Sequence, residues 1–225
     1  MLSWGTIDDR RREFEIFDDF VHVHDRWSLT NDGATGTNTL DDTAGGTYSI
    51  KTAGADNDYH VMYSDAEVFK FAAGKPAQFG CRMKLTEANT DDSNIVAGLA
   101  DGPDTGGIIQ NDGAGPPSSF DGALFYKIDG TLSWFFQTAN GSTKTTQSLG
   151  TFTSGTWYEL AFVYRSASAN DTVASIVPCV NGTQYTPHDV TISGLDEMNI
   201  FAGVKAGGAN AETLILDWIG ARQTR

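Results

Sequence analysis

The chain has 225 residues and a mass of 24.2 kDa, enough for one large all-β domain, and its 40% hydrophobic and 11% aromatic content excludes a disordered polymer. A formal net charge of −14 argues against nucleic acid as a direct partner, because phosphate binding needs a basic surface that releases counterions. No apolar run approaches the ~20 residues needed to cross a bilayer, and the start "MLSWGTIDDRRREFEIF" lacks the apolar segment of a secretory signal; a chain made and folded inside a cell, with no membrane partner, is expected.

In chain order, the first feature is polar. "IDDRRREFEIF" sets Arg10, Arg11 and Arg12 against Asp8, Asp9, Glu13 and Glu15, with Trp4 upstream. It reads either as a local zwitterionic patch or as a docking arm over residues 1–13, since Arg and Trp are the side chains that most often anchor interfaces. Residues 14–225 read as one β-sandwich domain. Short strand-like runs follow, among them "FEIFDDF", "GTYSIKT", "DYHVMYS", "QFGCRMKLTE" and "NIVAGLA". The 25 glycines and the Asn, Asp, Ser and Thr clusters between runs supply the turns. Residues 101–120, "DGPDTGGIIQNDGAGPPSSF", form a long loop, either functional or a simple excursion at one end of the sheets.

Two turns stand out. Asp129-Gly130 in "KIDGTLSW" and Asn181-Gly182 in "CVNGTQY" both carry the chemistry of a two-residue hairpin with positive φ. Between them, "SGTWYELAFVYRS" alternates Tyr158, Leu160, Phe162 and Tyr164 against Trp157, Glu159, Ala161, Val163 and Arg165. Trp157, Leu160, Phe162 and Tyr164 are expected to join Phe79, Met83, Leu85, Leu214 and Leu216 in one inter-sheet core. Cys81 and Cys179 lie in separate strand-like runs, and two free buried thiols are expected.

At "GTWYELAFVYRS" followed by "VASIVPCVNGTQY" the chain resembles concanavalin A-like, laminin-G-type jelly rolls, in which Gly-x-Trp opens a strand and a "VNG" turn closes the next. "FEIFDDF" and "ETLILDWIGARQ" would then be neighbouring first and last strands. "KLTEANTDDSNIVAGLADG", "FDGALFYKIDG", "TFTSGTWYELAFVY" and "GLDEMNIFAGVKAGGANAETLILDWI" are also similar to small virion proteins of tailed bacteriophages. The resemblance implies an all-β, two-sheet antiparallel jelly-roll sandwich. It further implies a non-enzymatic decoration or cement protein, made in the host cytoplasm and bound as a homotrimer to the major capsid protein on the outer surface of the head. The alternative is a lectin-like module that binds a glycan.

Candidate chemistry is sparse. Enzymes of this fold commonly use Glu-x-Asp-x-x-Glu on one strand; Glu13 and Glu15 share a face, but Asp18 falls on the opposite parity, and adjacent Asp196 and Glu197 point apart. His22, His24 and Asp25 lack further ligands at zinc spacing, and His60 and His188 stand alone. No Gly-x-Ser-x-Gly elbow occurs. Calcium is the one cofactor to consider, through "ANTDDSN" and "DGPDTGG", although neither has the full Asp-x-Asp-x-Asp-Gly loop and ordinary acidic turns account for both. Sequons at Asn140, Asn170 and Asn181 read as turn composition. For a sugar platform, Trp27, Tyr59, Tyr126 and Trp134 are the candidates, each with core packing as its default role.

Overall fold

A computed structural model describes residues 12–22, 24–32, 36–103 and 108–225. The chain runs through β1 (Glu13–Asp18), β2 (Trp27–Asn31), β3 (Thr37–Asp41), β4 (Thr47–Lys51), β5 (Tyr59–Ser64), β6 (Ala77–Thr86), β7 (Ser93–Ala100) and β8 (Gly122–Lys127). It continues through β9 (Ser133–Asn140), β10 (Thr143–Thr151), β11 (Trp157–Arg165), β12 (Val173–Val180), β13 (Thr183–Gln184), β14 (His188–Thr191), β15 (Asn199–Ala206) and β16 (Thr213–Thr224). These strands make two antiparallel sheets. Sheet A has the order β13-β12-β11-β6-β16-β4-β3, with β1 also on β16 and β14 also on β12; sheet B has the order β10-β9-β8-β7-β15-β5-β2. As expected, the first and last strands are neighbours, with Phe17 opposite Gly220.

Alternation explains which side chains meet. On β6 the inward set is Ala77, Phe79, Cys81, Met83 and Leu85, and on β11 it is Tyr158, Leu160, Phe162 and Tyr164. Phe162 is the hub, with ring centroids 5.2 Å from Phe79 in its own sheet and 6.3 and 5.7 Å from Phe125 and Phe136 in the other. Such spacings fall in the range where aromatic pairs attract beyond simple area burial. Leu85, Met83, Leu214 and Leu216 complete the same core. Trp157 does not belong to it: strict alternation turns it to the outer face of sheet A, where it is half-buried, and Tyr158 takes the inward place. Parity also separates the cysteines. Both are free thiols; Cys81 faces inward and is buried as expected, whereas Cys179, opposite outward-facing Ala161, is only half-buried.

One of the two expected hairpins forms as a two-residue turn. Val180 pairs with Thr183, leaving Asn181 at φ 48° and Gly182 at φ 80°, both in the left-handed region that this turn requires. Around Asp129-Gly130 the strands instead stop at Lys127 and resume at Ser133. The reason is an outside anchor: Asp129 N donates to Asn94 Oδ1 at 3.1 Å and Gly130 N to the Asp91 carbonyl at 2.8 Å, so the turn is pulled onto the loop before β7. A further tight turn joins β9 to β10, where Asn140 pairs with Thr143 and Gly141 has φ 56°.

Because Leu160 and Phe162 are fully buried at the hub, truncating either should cost ~2–5 kcal/mol through lost transfer energy and an unfilled cavity. Urea unfolding of Leu160→Ala and Phe162→Ala checks this; midpoints equal to the parent's would mean that β11 is not a core strand.

Candidate binding surfaces

Three surfaces are built by this framework. The first is the outer face of sheet B, where β7, β8 and β15 are buried along their whole length. Residues 108–120 of the long loop lie across it as a strap. Ile108, Ile109 and Phe120 pack there on Val61, Val96, Leu124, Tyr126 and Phe201. Polar ties hold its length: Lys205 Nζ donates to the Ile109 carbonyl at 3.0 Å, Asn57 and Asp112 exchange two hydrogen bonds of 3.1 Å, and Lys144 Nζ donates to the Pro117 carbonyl at 3.1 Å. Burial draws the Lys205 ammonium below the ordinary lysine range, against the opposing pull of Asp32, Asp112, Asp129 and Asp56. The strap therefore fills this face with the chain's own residues.

The second is a polar node where the loop between β6 and β7 meets the starts of β7 and β16. Lys127 Nζ lies 2.7 Å from Glu87 Oε1, with side-chain exposures of 0% and 2%, and also donates to the Ser93 carbonyl at 2.9 Å. Ser93 Oγ donates to the same Glu87 oxygen at 2.6 Å. Beside this pair, the fully buried Glu212 carboxyl accepts from Ala88 N, while Glu212 N donates to Thr52 Oγ1. Desolvation lifts the Glu212 carboxyl to about 7; Glu87 and Asp92 push it the same way, and Ala88 N and Lys127 oppose.

The third is the outer face of sheet A. The register shifts between Leu216 and Trp218, so Leu216 opposes Met83 and Trp218 opposes Arg82, with Asp217 as the extra residue. This bulge turns two consecutive side chains outward, which regular alternation forbids. Asp217 pairs with Arg82. Arg82 Cζ also lies 4.5 Å and Lys84 Nζ 4.9 Å from the centre of the Trp157 ring. Trp218 in turn lies 6.3 Å from Phe17 at an interplanar angle of 28°, and Phe17 is 45% exposed. Elsewhere, a hydroxyl-lined cleft of about 260 Å³ sits between the β9–β10 turn and β14, walled by Thr138, Asn140, Thr143, Asp189 and Thr191.

Of the expected site residues, Trp4, Arg10 and Arg11 lie outside the described residues. Arg12 is exposed and its carbonyl accepts from Arg225 N at 2.6 Å, beside the end of β16. Tyr126 and Trp134 are buried, the first under the strap against Phe135 and the second in the inter-sheet core, so neither offers a sugar platform. Trp27 is half-buried with its Nε1 donating to Asp18 Oδ2 at 2.7 Å, and Tyr59 packs under Lys205. Asp18 also caps Phe20 N, which makes it a structural carboxylate, and Glu197 pairs with Lys70 at 3.0 Å. His22 and His24 meet at 4.1 Å; His60 and His188 are buried against the Lys51 carbonyl and Thr138 Oγ1. In "ANTDDSN", Asn89 donates to Asp92, and among the described residues no group of three His, Cys, Asp or Glu is arranged to hold a metal. In "DGPDTGG" residues 104–107 lie outside the described residues. Asn140 and Asn181 work as turn residues, the first donating to the Thr191 and Ser193 carbonyls and the second accepting from Glu159 N.

No family model matches the chain, and no curated protein is significantly similar to it. Solved structures are. A protein of unknown function from Shewanella oneidensis MR-1 is 14% identical with a TM-score of 0.59, over 100% of this chain and 96% of that one. The basic winged bean lectin, solved with Tn-antigen, is 10% identical with a TM-score of 0.61, over 95% and 99%. A carbohydrate esterase from the Shiga toxin-encoding bacteriophage phi24B is 20% identical with a TM-score of 0.50, over 87% and 89%. The fold is thus an all-β, concanavalin A-like jelly-roll sandwich of the legume-lectin type.

The Glu212 geometry sets a pH dependence. Its folded value of about 7 exceeds the ordinary 4.5, so the folded state holds the extra proton between them; stability is greatest below about 4.5 and is lost as pH rises toward 7. Denaturant midpoints measured from pH 4.5 to 8 should carry this downward contribution. In Glu212→Gln, which keeps an acceptor for Ala88 N, that contribution should vanish; an unchanged profile would remove Glu212 as its source.

Proposed function

We propose that this protein is a non-enzymatic decoration protein of a tailed-phage head, a lectin-type sandwich that binds the major capsid protein and holds carbohydrate at an exposed face. What supports this reading is the resemblance, read from the sequence, of four stretches to small virion proteins. These stretches span β7, β8 and β15 and most of β11 and β16. The carbohydrate part is supported by the lectin-type fold together with the exposed aromatic rings on sheet A. Fold by itself carries no activity, so each part has its own test.

In this reading the arm at residues 1–13 supplies the capsid contact through Trp4, Arg10, Arg11 and Arg12. A homotrimer would set three arms on neighbouring capsid subunits, so that weak contacts add through effective concentration. Cofactors are not needed for such a role. The protein should copurify with mature particles in stoichiometric amounts, and light scattering of the free protein should give three times the 24.2 kDa chain mass.

Surface charges seldom add more than ~1 kcal/mol to stability, whereas a partly desolvated Arg at an interface is worth ~2 kcal/mol or more of binding. Deleting residues 1–13, or replacing Arg10, Arg11 and Arg12 with Ser, should therefore leave the melting temperature almost unchanged and reduce occupancy on particles, with the gap from the parent widest at low salt. Full occupancy by the truncated protein would assign the contact to the sandwich; absence of the parent from purified virions would end the decoration reading.

A further inference from the structure

On the outer face of sheet A, we infer that Phe17 and Trp218 form a stacking platform for an uncharged pyranose chain, with Arg82 and Asp217 binding its hydroxyls. This rests on the reading of a lectin-type binding module and gives it a site and a ligand class.

The platform is built rather than incidental. Without the bulge, Trp218 would point into the core as Leu216 does; with it, Asp217 and Trp218 both face outward beside Arg82. Two glycines then let the rings lie down on the sheet. A Cβ at Gly80 would come within 3.1 Å of the Trp218 ring, and one at Gly220 within 2.8 Å of the Ile16 carbonyl oxygen and 3.0 Å of Phe17 Cδ2. Neither glycine is among the positive-φ residues; close approach of the Trp218 ring accounts for the first, and close approach of the β1 backbone together with the Phe17 ring for the second. The result is two rings with centroids 6.3 Å apart at an interplanar angle of 28°, Phe17 exposed and Trp218 half-buried.

The rim supplies matching polar groups. Arg82 and Asp217 pair with each other while their side chains remain 34% and 26% exposed. A guanidinium has five N–H donors and a carboxylate about four acceptor sites, so one shared bond leaves both able to engage neighbouring hydroxyls. A sugar ring presents the same combination, an apolar C–H face and a hydroxyl edge. Both donors and acceptors are required at the rim for an uncharged chain, and the net charge of −14 opposes the approach of a polyanion.

Area decides against a protein as the occupant. A fully buried aromatic side chain covers ~150–250 Å², and these two are already partly covered, while a stable protein partner needs ~800 Å² per side. Charged Glu15, Arg222 and Glu159 lie around the rings on the same sheet face, and beyond Gly80 its apolar side chains are the short ones of Ala161, Val163, Val177 and Cys179. On sheet B the strap covers the centre of the outer face.

The test is calorimetric titration of the full chain with cellohexaose, chitohexaose, mannohexaose and maltohexaose, and with hexagalacturonate as the charged arm. Saturable binding of at least one uncharged hexasaccharide is expected. Phe17→Ala and Trp218→Ala should each weaken it at least tenfold, and Asp217→Asn at least threefold. Should Trp218→Ala unfold, Phe17→Ala and Asp217→Asn carry the test, since they alter an exposed ring and a half-exposed rim group. Silence toward all uncharged chains, binding confined to hexagalacturonate, or affinity unchanged in Phe17→Ala and Asp217→Asn would each overturn the platform. So would loss of particle attachment in Phe17→Ala without any sugar binding, which would make this face a protein contact. If sugar binding follows the variants but the protein is missing from virions, the decoration role fails and the platform stands.

Discussion

β16 is the constraint on which the rest of the sandwich depends. Its twelve residues pair with β6 along one side, and on the other they hold β4 through Thr213–Leu216 and β1 through Ile219–Thr224. A strand used on both edges by three partners tolerates no slip in register, since a one-residue shift would exchange its core and solvent faces. The bulge at Asp217 is where this strand reconciles two demands. Leu214 and Leu216 point inward before it, and Ile219 and Ala221 point inward after it, so one added residue keeps both halves in the core while it aims Asp217 and Trp218 outward. The N-terminal strand inherits its position from the second half. Phe17 reaches Trp218 only because β1 is registered on Gly220.

At the start of β16 the problem is different, because charges are taken out of water. Lys127 and Glu87 are both buried, and the desolvation cost of such a pair is offset only when its remaining donors and acceptors are satisfied. Here Ser93 helps twice, its carbonyl accepting from Lys127 and its hydroxyl donating to Glu87. Glu212 completes the node by receiving Ala88 N, which fixes the loop before β7 against the first residues of β16. That same loop then accepts Gly130 N through Asp91 and thereby opens the β8–β9 connection. A buried polar node thus sets the shape of a turn that local sequence would have made tighter.

This bears on how much of the molecule was legible in its sequence. Period-2 alternation identified the inward faces of β6 and β11 correctly, and Asn181-Gly182 named its turn, because each depends on residues adjacent in the chain. Trp157 was misplaced because its size argued for the core while its parity argued against, and parity is the stronger constraint in a paired strand. Asp129-Gly130 misled because its geometry is decided by Asn94 and Asp91, more than thirty residues away. The outer-face rings were overlooked although a signal existed: in "LILDWIG" the inward positions step from Leu216 to Ile219, three residues instead of two, which is the mark of a bulge. Gly80 and Gly220 inside otherwise regular strands were the matching sign that something lies close above the backbone.

The strap covers the centre of sheet B with the chain's own residues. Residues 108–120 bring Ile108, Ile109 and Phe120 onto sheet B, and Ile108 adopts φ 55°, a conformation that costs a β-branched residue about 1–3 kcal/mol. Such a cost persists only where surrounding contacts over-determine it, and here burial of the apolar anchors and the ties to Lys205, Asn57 and Lys144 do so. The central strands β7, β8 and β15 of the covered sheet are accordingly buried on both faces. On sheet A, by contrast, β6, β11 and β16 alternate buried with less buried positions apart from the Asp217 bulge, and this is the face on which the proposed platform would meet solvent.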